Sequence, residues 1–342
     1  MRLLVLGGTR FLGRHLVDLA LARGDDVTVF TRGKQPNHWQ GRVTALVGNR
    51  DQAVSPGLRA LETGAWDAVV DTCGYVPRIV RQSAELLAPR VGRYLFVSSI
   101  SVFTDASRPG LTEKDPVGAL DDPGTEEIGK FYGPLKAACE RVVSEVYGYR
   151  ALNVRPGLIV GPHDPTDRFG YWVARFVHPE LLGDRASHAV VPNPPARPIQ
   201  LIDARDLAAW MLDLAERREA GSFNATGPIG QTTMGELLGA AVDATASGAE
   251  LVWRSDEQLR AVDAGPWMEL PLWAPMDEMP GTWRIATARA QAAGLRCRPA
   301  PETVRDVWHW LREGGEAEVS DWGSHARPAP MSAAREAELL GG

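Results

Sequence analysis

Three cysteines in 342 residues, Cys73, Cys139 and Cys297, are too few and too widely spaced for a disulfide framework. No CxxC pair or Cys/His cluster offers ligands for a structural zinc, and none of the residues singled out below is read as a metal ligand. No apolar run approaches the ~18 residues that a membrane-spanning helix requires. The opening MRLLVLGG reaches glycine after four apolar residues, too short for the core of a secretory signal. Cationic excess is missing as well: 37 Lys+Arg against 43 Asp+Glu leave a net charge of −6. Binding to nucleic acid or to an anionic membrane draws on the opposite balance. These absences lead to the expectation of a cytoplasmic protein in a reducing compartment. Its expected partner is a small molecule, with neither nucleic acid nor membrane.

The composition that remains is that of a globular chain, 44% hydrophobic and 23% charged. Its periodicity changes along the length. Short apolar runs at 2–6, 27–30, 43–47, 68–71, 94–97 and 151–154 read as strands, and helical spacing appears at 11–22, 79–87 and after Tyr132. Strands alternating with helices predict an α/β fold, a Rossmann-type doubly wound parallel sheet. The segment 161–200 carries seven prolines and reads largely as loop. Helical spacing returns at 203–216, and Thr233 with Glu236 has the spacing of a capping box. The expected organisation is a dinucleotide-binding unit over 1–160 plus about 199–217. A smaller, discontinuous C-terminal substrate-binding part is expected over about 161–198 and 218–312, with 313–342 as a tail.

Two local patterns carry chemistry. Gly7-Gly8-Thr9-Arg10-Phe11-Leu12-Gly13 joins the first strand to the first helix, so a tight turn delivers a helix N-terminus to an anion such as pyrophosphate. Tyr132 and Lys136 stand four apart, one turn of a helix, on one face. With six tyrosines and four lysines this spacing is expected roughly 0.07 times by chance. A phenol of pKa about 10 exchanges protons near neutrality only with help, and a neighbouring ammonium provides it. Pro134 between them requires the helix to begin close by.

These residues resemble the short-chain dehydrogenase/reductase superfamily, in particular its extended or atypical NAD-dependent epimerase/dehydratase-like branch with a GGxxxxG turn. Gly7 and Gly13 match the outer glycines of that turn, and Arg10 stands where a middle glycine is usual. The resemblance implies Tyr132 as general acid/base, Lys136 as the group that tunes it and anchors the ribose, and Ser99 of Ser98-Ser99-Ile100-Ser101 as the residue orienting the substrate. It implies cofactor contacts from Gly7, Thr9, Arg10, Phe11, Leu12, Gly13, Arg32, Lys34, Asn49, Thr72 and Pro156. The second strand ends Phe30-Thr31-Arg32-Gly33-Lys34 without a carboxylate, which favours NADP (NADPH), with NAD as the second choice. Ile100 and Ser101 occupy the places of the acid pair used by dehydratases of the family, which leaves simple hydride chemistry.

Substrate contacts are expected from the aromatic and basic run at Arg168, Tyr171, Trp172 and Arg175. Arg197 lies near the position where nucleotide-sugar enzymes hold a diphosphate. Trp267, Trp273 and Met279 are read either as a cover over the site or, more simply, as core. The function expected is an NAD(P)-dependent oxidoreductase of ketoreductase type. A nucleotide-sugar epimerase that keeps its cofactor is the alternative, and a non-catalytic RNA-binding protein of the same fold is the second. The substrate class is a sugar nucleotide or another polar ketone or alcohol, and a homodimer is the assembly common in the family.

Overall fold

Strand β1 (Arg2–Leu6) sends Leu3 and Val5 to one face and Leu4 and Leu6 to the other, and all four are fully buried. A strand apolar on both sides belongs inside a sheet covered on both faces. The structure, a computed structural model, describes residues 1–177, 187–315, 331 and 333–341. It shows that sheet: seven parallel strands in the order β11-β6-β5-β4-β1-β2-β3.

The first half alternates as its periodicity dictates: α1 (Phe11–Ala22), β2 (Asp26–Thr31), β3 (Thr44–Val47), β4 (Ala68–Asp71), α2 (Pro77–Leu87), β5 (Tyr94–Val97), α3 (Ile128–Tyr147) and β6 (Ala151–Pro156). Leu12, Leu16 and Val17 of α1 pack on the Leu3/Val5 face, while Val80, Ala84, Cys139 and Val143 of α2 and α3 pack on the Leu4/Leu6 face. The strand order reverses between β1 and β4. Their carboxyl ends therefore flank the crevice where open α/β sheets bind ligands.

Beyond β6 come β7 (Leu158–Val160), α4 (Gly170–Val177), β8 (His188–Pro192), β9 (Pro198–Ile199), β10 (Leu201–Asp203) and α5 (Ala204–Glu216). The Asp203 carboxylate accepts from Arg205 N–H and caps α5. Helix α5 returns to the large sheet, packing Leu207, Met211 and Leu214 beside α1. The expected loop at 161–200 in fact carries helix α4 and strand β8 amid its turns.

β11 (Gly221–Ala225) pairs with β6 along its whole length and completes the large sheet. Residues from 218 onward had been expected in the smaller part, because a lone strand-like run does not reveal which sheet it joins. The chain continues through β12 (Thr232–Thr233), α6 (Met234–Thr245), β13 (Glu250–Arg254), α7 (Asp256–Ala261), α8 (Ala288–Ala292), α9 (Ala300–Arg312) and α10 (Ala333–Leu340). The Thr233/Glu236 capping box opens α6 as its spacing predicted.

A second hydrophobic core unites these elements. Trp172, Val173 and Phe176 of α4 meet Met234, Leu237 and Leu238 of α6, Val304 and Val307 of α9, and Leu339 of α10. Glu336 of α10 is buried against Arg175 at 2.9 Å, which ties this terminal helix to α4 and makes it part of the folded body. No helix among the described residues is long and apolar enough to cross a membrane.

Candidate active site

At the end of β1 the chain turns sharply, with Gly7 at φ +100° and Gly8 at φ +94°, values that glycine adopts without strain. Gly13 lies so close behind that a Cβ there would stand 2.6 Å from the Gly8 Cα, so α1 is pressed directly against the turn. Arg10 occupies the N-cap position of α1 and makes no side-chain cap bond. The first-turn N–H groups therefore have no partner from the cap and present a positive dipole end to the crevice. A Cβ on Gly7 would overlap the Thr72 hydroxyl, which donates to the Leu6 carbonyl at 2.9 Å and closes the other side. This cradle, shaped by the want of Cβ atoms, fits a dinucleotide pyrophosphate.

The cavity in front of it measures about 1070 Å³, at the upper end of the range for ligand sites. All the residues expected to contact a cofactor line it: Gly7, Thr9, Arg10, Phe11, Leu12, Gly13, Arg32, Lys34, Asn49, Thr72 and Pro156. In its wall Arg50 forms a buried ion pair at 2.5 Å with Asp71 behind it, joined by the Ser83 and Tyr94 hydroxyls. Sequence reasoning missed this network, because an arginine after β3 and an aspartate ending β4 show no relation until the strands are aligned.

Ser99, Tyr132 and Lys136 line the same cavity. Helix α3 breaks at Phe131, whose φ/ψ of −119°/29° are not helical. The regular helix thus starts at Tyr132, with Pro134 in its first turn, where a missing N–H costs nothing. Gly133 packs on the turn that follows β5, so closely that a Cβ would overlap the Ser101 carbonyl oxygen. That contact sets the distance between the Tyr132 helix and the serine turn. The Ser99 hydroxyl accepts from Ser101 N–H at 3.1 Å and lies 3.0 Å from the Ser101 hydroxyl. Burial raises the Tyr132 phenol above its ordinary range, and its hydrogen bond with Ser99 and the Arg168 charge pull it back.

Lys136 is almost wholly buried and donates to the Gly74 carbonyl at 2.8 Å and the Val97 carbonyl at 2.5 Å. Its ammonium also sits between two rings, 4.4 Å from the Phe96 centroid and 4.8 Å from that of Tyr75. An ammonium has three donors, so one is left for a ligand. Desolvation lowers this lysine to about 8. Tyr75, 6.3 Å ring to ring from Tyr132, also lines the cavity and was not singled out from the sequence.

The substrate expectations divide. Arg168 lines the cavity, whereas Tyr171, Trp172 and Arg175 do not, which corrects their assignment. Trp172 is 1% exposed in the second core and donates to the Pro271 carbonyl. Arg175 is held by Glu336 and the His188 carbonyl, and the half-buried Tyr171 ring lies against Trp172. The reason is helical spacing: the inner face of α4 meets the second core together with Phe169, and of these residues only Arg168, two before the helix, turns to the crevice. Arg197 is likewise buried, paired with Asp256. Trp267 and Met279 do line the cavity, with Trp283, while Trp273 is core. Among the described residues no three His, Cys, Asp or Glu side chains gather as a metal site would require.

The model of the NAD dependent epimerase/dehydratase family matches residues 3–230. The chloroplast stem-loop binding protein of 41 kDa b from Arabidopsis thaliana is 26% identical over 243 residues, covering 66% of this chain and 58% of that protein. Solved structures share the fold. UDP-N-acetylglucosamine 4-epimerase from Methanobrevibacter ruminantium, in complex with UDP-N-acetylmuramic acid, superposes with a TM-score of 0.65 at 16% identity, over 92% of this chain and 98% of that one. WbmH from Bordetella bronchiseptica, in complex with NAD+, superposes with a TM-score of 0.64 at 17% identity, over 92% and 99%.

Proposed function

We propose that the chain, which belongs to the NAD dependent epimerase/dehydratase family, is a nicotinamide-dependent enzyme that epimerises a carbinol carbon of a sugar nucleotide. The observation that carries this reading is the meeting of Ser99, Tyr132 and Lys136 in one cavity with the glycine turn. The turn at Gly7–Gly13 would hold the pyrophosphate, and the third donor of Lys136 a ribose hydroxyl. The bound nicotinamide would accept and return hydride. Tyr132 takes the proton of the substrate hydroxyl as the carbonyl forms and gives it back on return. Ser99 holds that same oxygen in line by hydrogen bonding, and the Lys136 charge favours the phenolate that exists between the two steps.

A ketoreductase uses the same residues and was the first expectation. The similar solved structures move the weight to epimerisation, since those described include a 4-epimerase of UDP-N-acetylglucosamine. Arg32 and Lys34 lie at the end of β2 and line the cavity. They support NADP through its 2′-phosphate, while the NAD+ in WbmH supports NAD. Incubation with UDP-glucose and UDP-N-acetylglucosamine, followed by chromatographic separation of the products, tests the reading. A C4 epimer formed without added reductant supports it. Consumption of NADPH by ketones, with no epimer, returns the protein to the ketoreductase class.

The stem-loop binding relative favours a second reading, nucleic-acid binding without catalysis. The net charge of −6 and the assembled Ser99–Tyr132–Lys136 set weigh against it. Salt-dependent binding of an RNA hairpin, together with no affinity for either dinucleotide, would establish it.

A further inference from the structure

A buried ammonium needs something in place of its lost water. Among the described residues no carboxylate pairs with Lys136. The acids that act on it through their fields are committed elsewhere, Asp71 of β4 to Arg50 and Glu140 of α3 to Arg155. Arg50 opposes its charge, and the Cys139 and Cys73 thiols, which burial raises and keeps neutral, also lie within its field. Tyr132 stands one turn before it on the same helix. What stabilises the charge is a cage of two carbonyls and two ring faces, from Gly74, Val97, Phe96 and Tyr75.

The loop between β4 and α2 is shaped to bring Tyr75 there. Gly74 lies so close to Phe96 that a Cβ would stand 2.6 Å from its ring, so a side chain at that position would push the loop off the cage. The same glycine supplies one of the two carbonyls, and Pro77 opens α2 two residues after Tyr75. Tyr75 is thus pinned between a close approach and a helix start. Phe96 is fully buried in the core, whereas Tyr75 is half-buried and lines the cavity. Of the two rings, that of Tyr75 is the one the cavity reaches, 6.3 Å from the Tyr132 ring.

We propose that Tyr75 is a positioning residue for the reaction: its ring face keeps the Lys136 ammonium charged and in place beside Tyr132. The reaction rests on the function proposed above; the hold on the ammonium rests on the cage. A desolvated ring face is worth about a tenfold change in the proton equilibrium of the cation it covers. Desolvation has already brought this lysine down to about 8. Without the face the charged form loses support, the proton leaves earlier still, and the ammonium is lost through the neutral range. Tyr132 then lacks its cationic neighbour at the pH where the phenolate is needed.

With four lysines in the chain, Lys136 can be followed by itself. Protein labelled with carbon-13 at the lysine Cε would be titrated by NMR from about pH 6 to about pH 11, the Lys136 signal being the one lost in Lys136→Met. The expected result is a midpoint about one pH unit lower in Tyr75→Leu and in Tyr75→Met, with Tyr75→Phe, which keeps the ring, at the wild-type value. Unmoved Lys34, Lys114 and Lys130 signals and a cooperative melt would show that the fold is intact. In the loaded protein the alkaline limb of the rate at which a UDP-sugar reduces the bound nicotinamide should move down with the midpoint. A midpoint unmoved in both ringless variants, or moved equally in Tyr75→Phe, would overturn the inference and leave the epimerase reading standing. A midpoint that moves as expected in a protein that reduces no nicotinamide would uphold the hold on the ammonium and overturn the proposed function. A midpoint that moves while the rate profile stays in place would overturn the part of Tyr75 in the reaction.

Discussion

Replacing Gly13 by alanine is expected to cost the protein most of its dinucleotide affinity while leaving it folded. The new Cβ would lie 2.6 Å from the Gly8 Cα and 2.8 Å from the Gly8 nitrogen, whereas carbon atoms in contact settle at roughly 3.5–4.0 Å. Both neighbours are main chain, so no side chain can swing aside and α1 has to withdraw from the turn by about 1 Å. An N–H···O bond of about 2.9 Å then opens to about 3.9 Å, beyond hydrogen-bonding range. Loss of one such bond to a charged phosphate, at about 1.5–3 kcal/mol, lowers affinity roughly 10- to 150-fold. Overpacking costs the fold only about 1–3 kcal/mol, a drop of a few degrees in melting temperature. Fluorescence titration with NADPH and NADH beside a thermal melt reads both effects. Affinity within twofold of the unaltered protein, in a variant that melts cooperatively, would refute the placement of the phosphates at this turn.

Gly133→Ala is expected to move the serine turn away from Tyr132, because its Cβ overlaps the Ser101 carbonyl. A displacement of about 1 Å lowers kcat on the order of 100-fold, with dinucleotide affinity changed only a few-fold; steady-state kinetics and cofactor titration separate the two. Lys136 is held at about 8 against an unfolded value of 10.5, so the folded protein loses this proton before the unfolded chain does. Its burial therefore opposes folding below pH 8, and the penalty, on the order of 1–3 kcal/mol, fades as the pH rises from 8 to 10.5. Denaturation of the wild type and of Lys136→Met across that range should show the wild type gaining stability relative to the variant; parallel curves would contradict the buried ammonium.

Much of the first half was legible because both of its signals are local. Helix α1 spans the 11–22 predicted from spacing, and β5 the predicted 94–97. The proline at 134 correctly implied a helix start, which appears as the break at Phe131. The candidate crevice was legible for a further reason: glycines at a strand end and a Tyr/Lys pair one turn apart are spacing patterns. The second half resisted because its core joins elements far apart in sequence. Trp172 and Arg175 look like ligand groups in isolation; the apolar surface of α6, α9 and α10 explains why Trp172 faces inward, and Glu336 of α10 with the His188 carbonyl explains why Arg175 does. The membership of β11 in the large sheet, and the burial of Arg197 against Asp256, depend on the same long-range packing. Arg168 stands out in the sequence as part of an aromatic and basic run, but its place in the cavity wall is a fact of three dimensions.

The central claim is that Tyr132 exchanges a substrate proton beside a bound nicotinamide dinucleotide. It is tested most directly by loading the wild type and Tyr132→Phe with dinucleotide, adding UDP-sugar, and following the absorbance band of the reduced nicotinamide. The wild type should develop the band, and Tyr132→Phe should hold the same nucleotide yet form the band at least 100-fold more slowly. A variant as fast as the wild type, or a wild type that takes up no dinucleotide at saturating concentration, would contradict it.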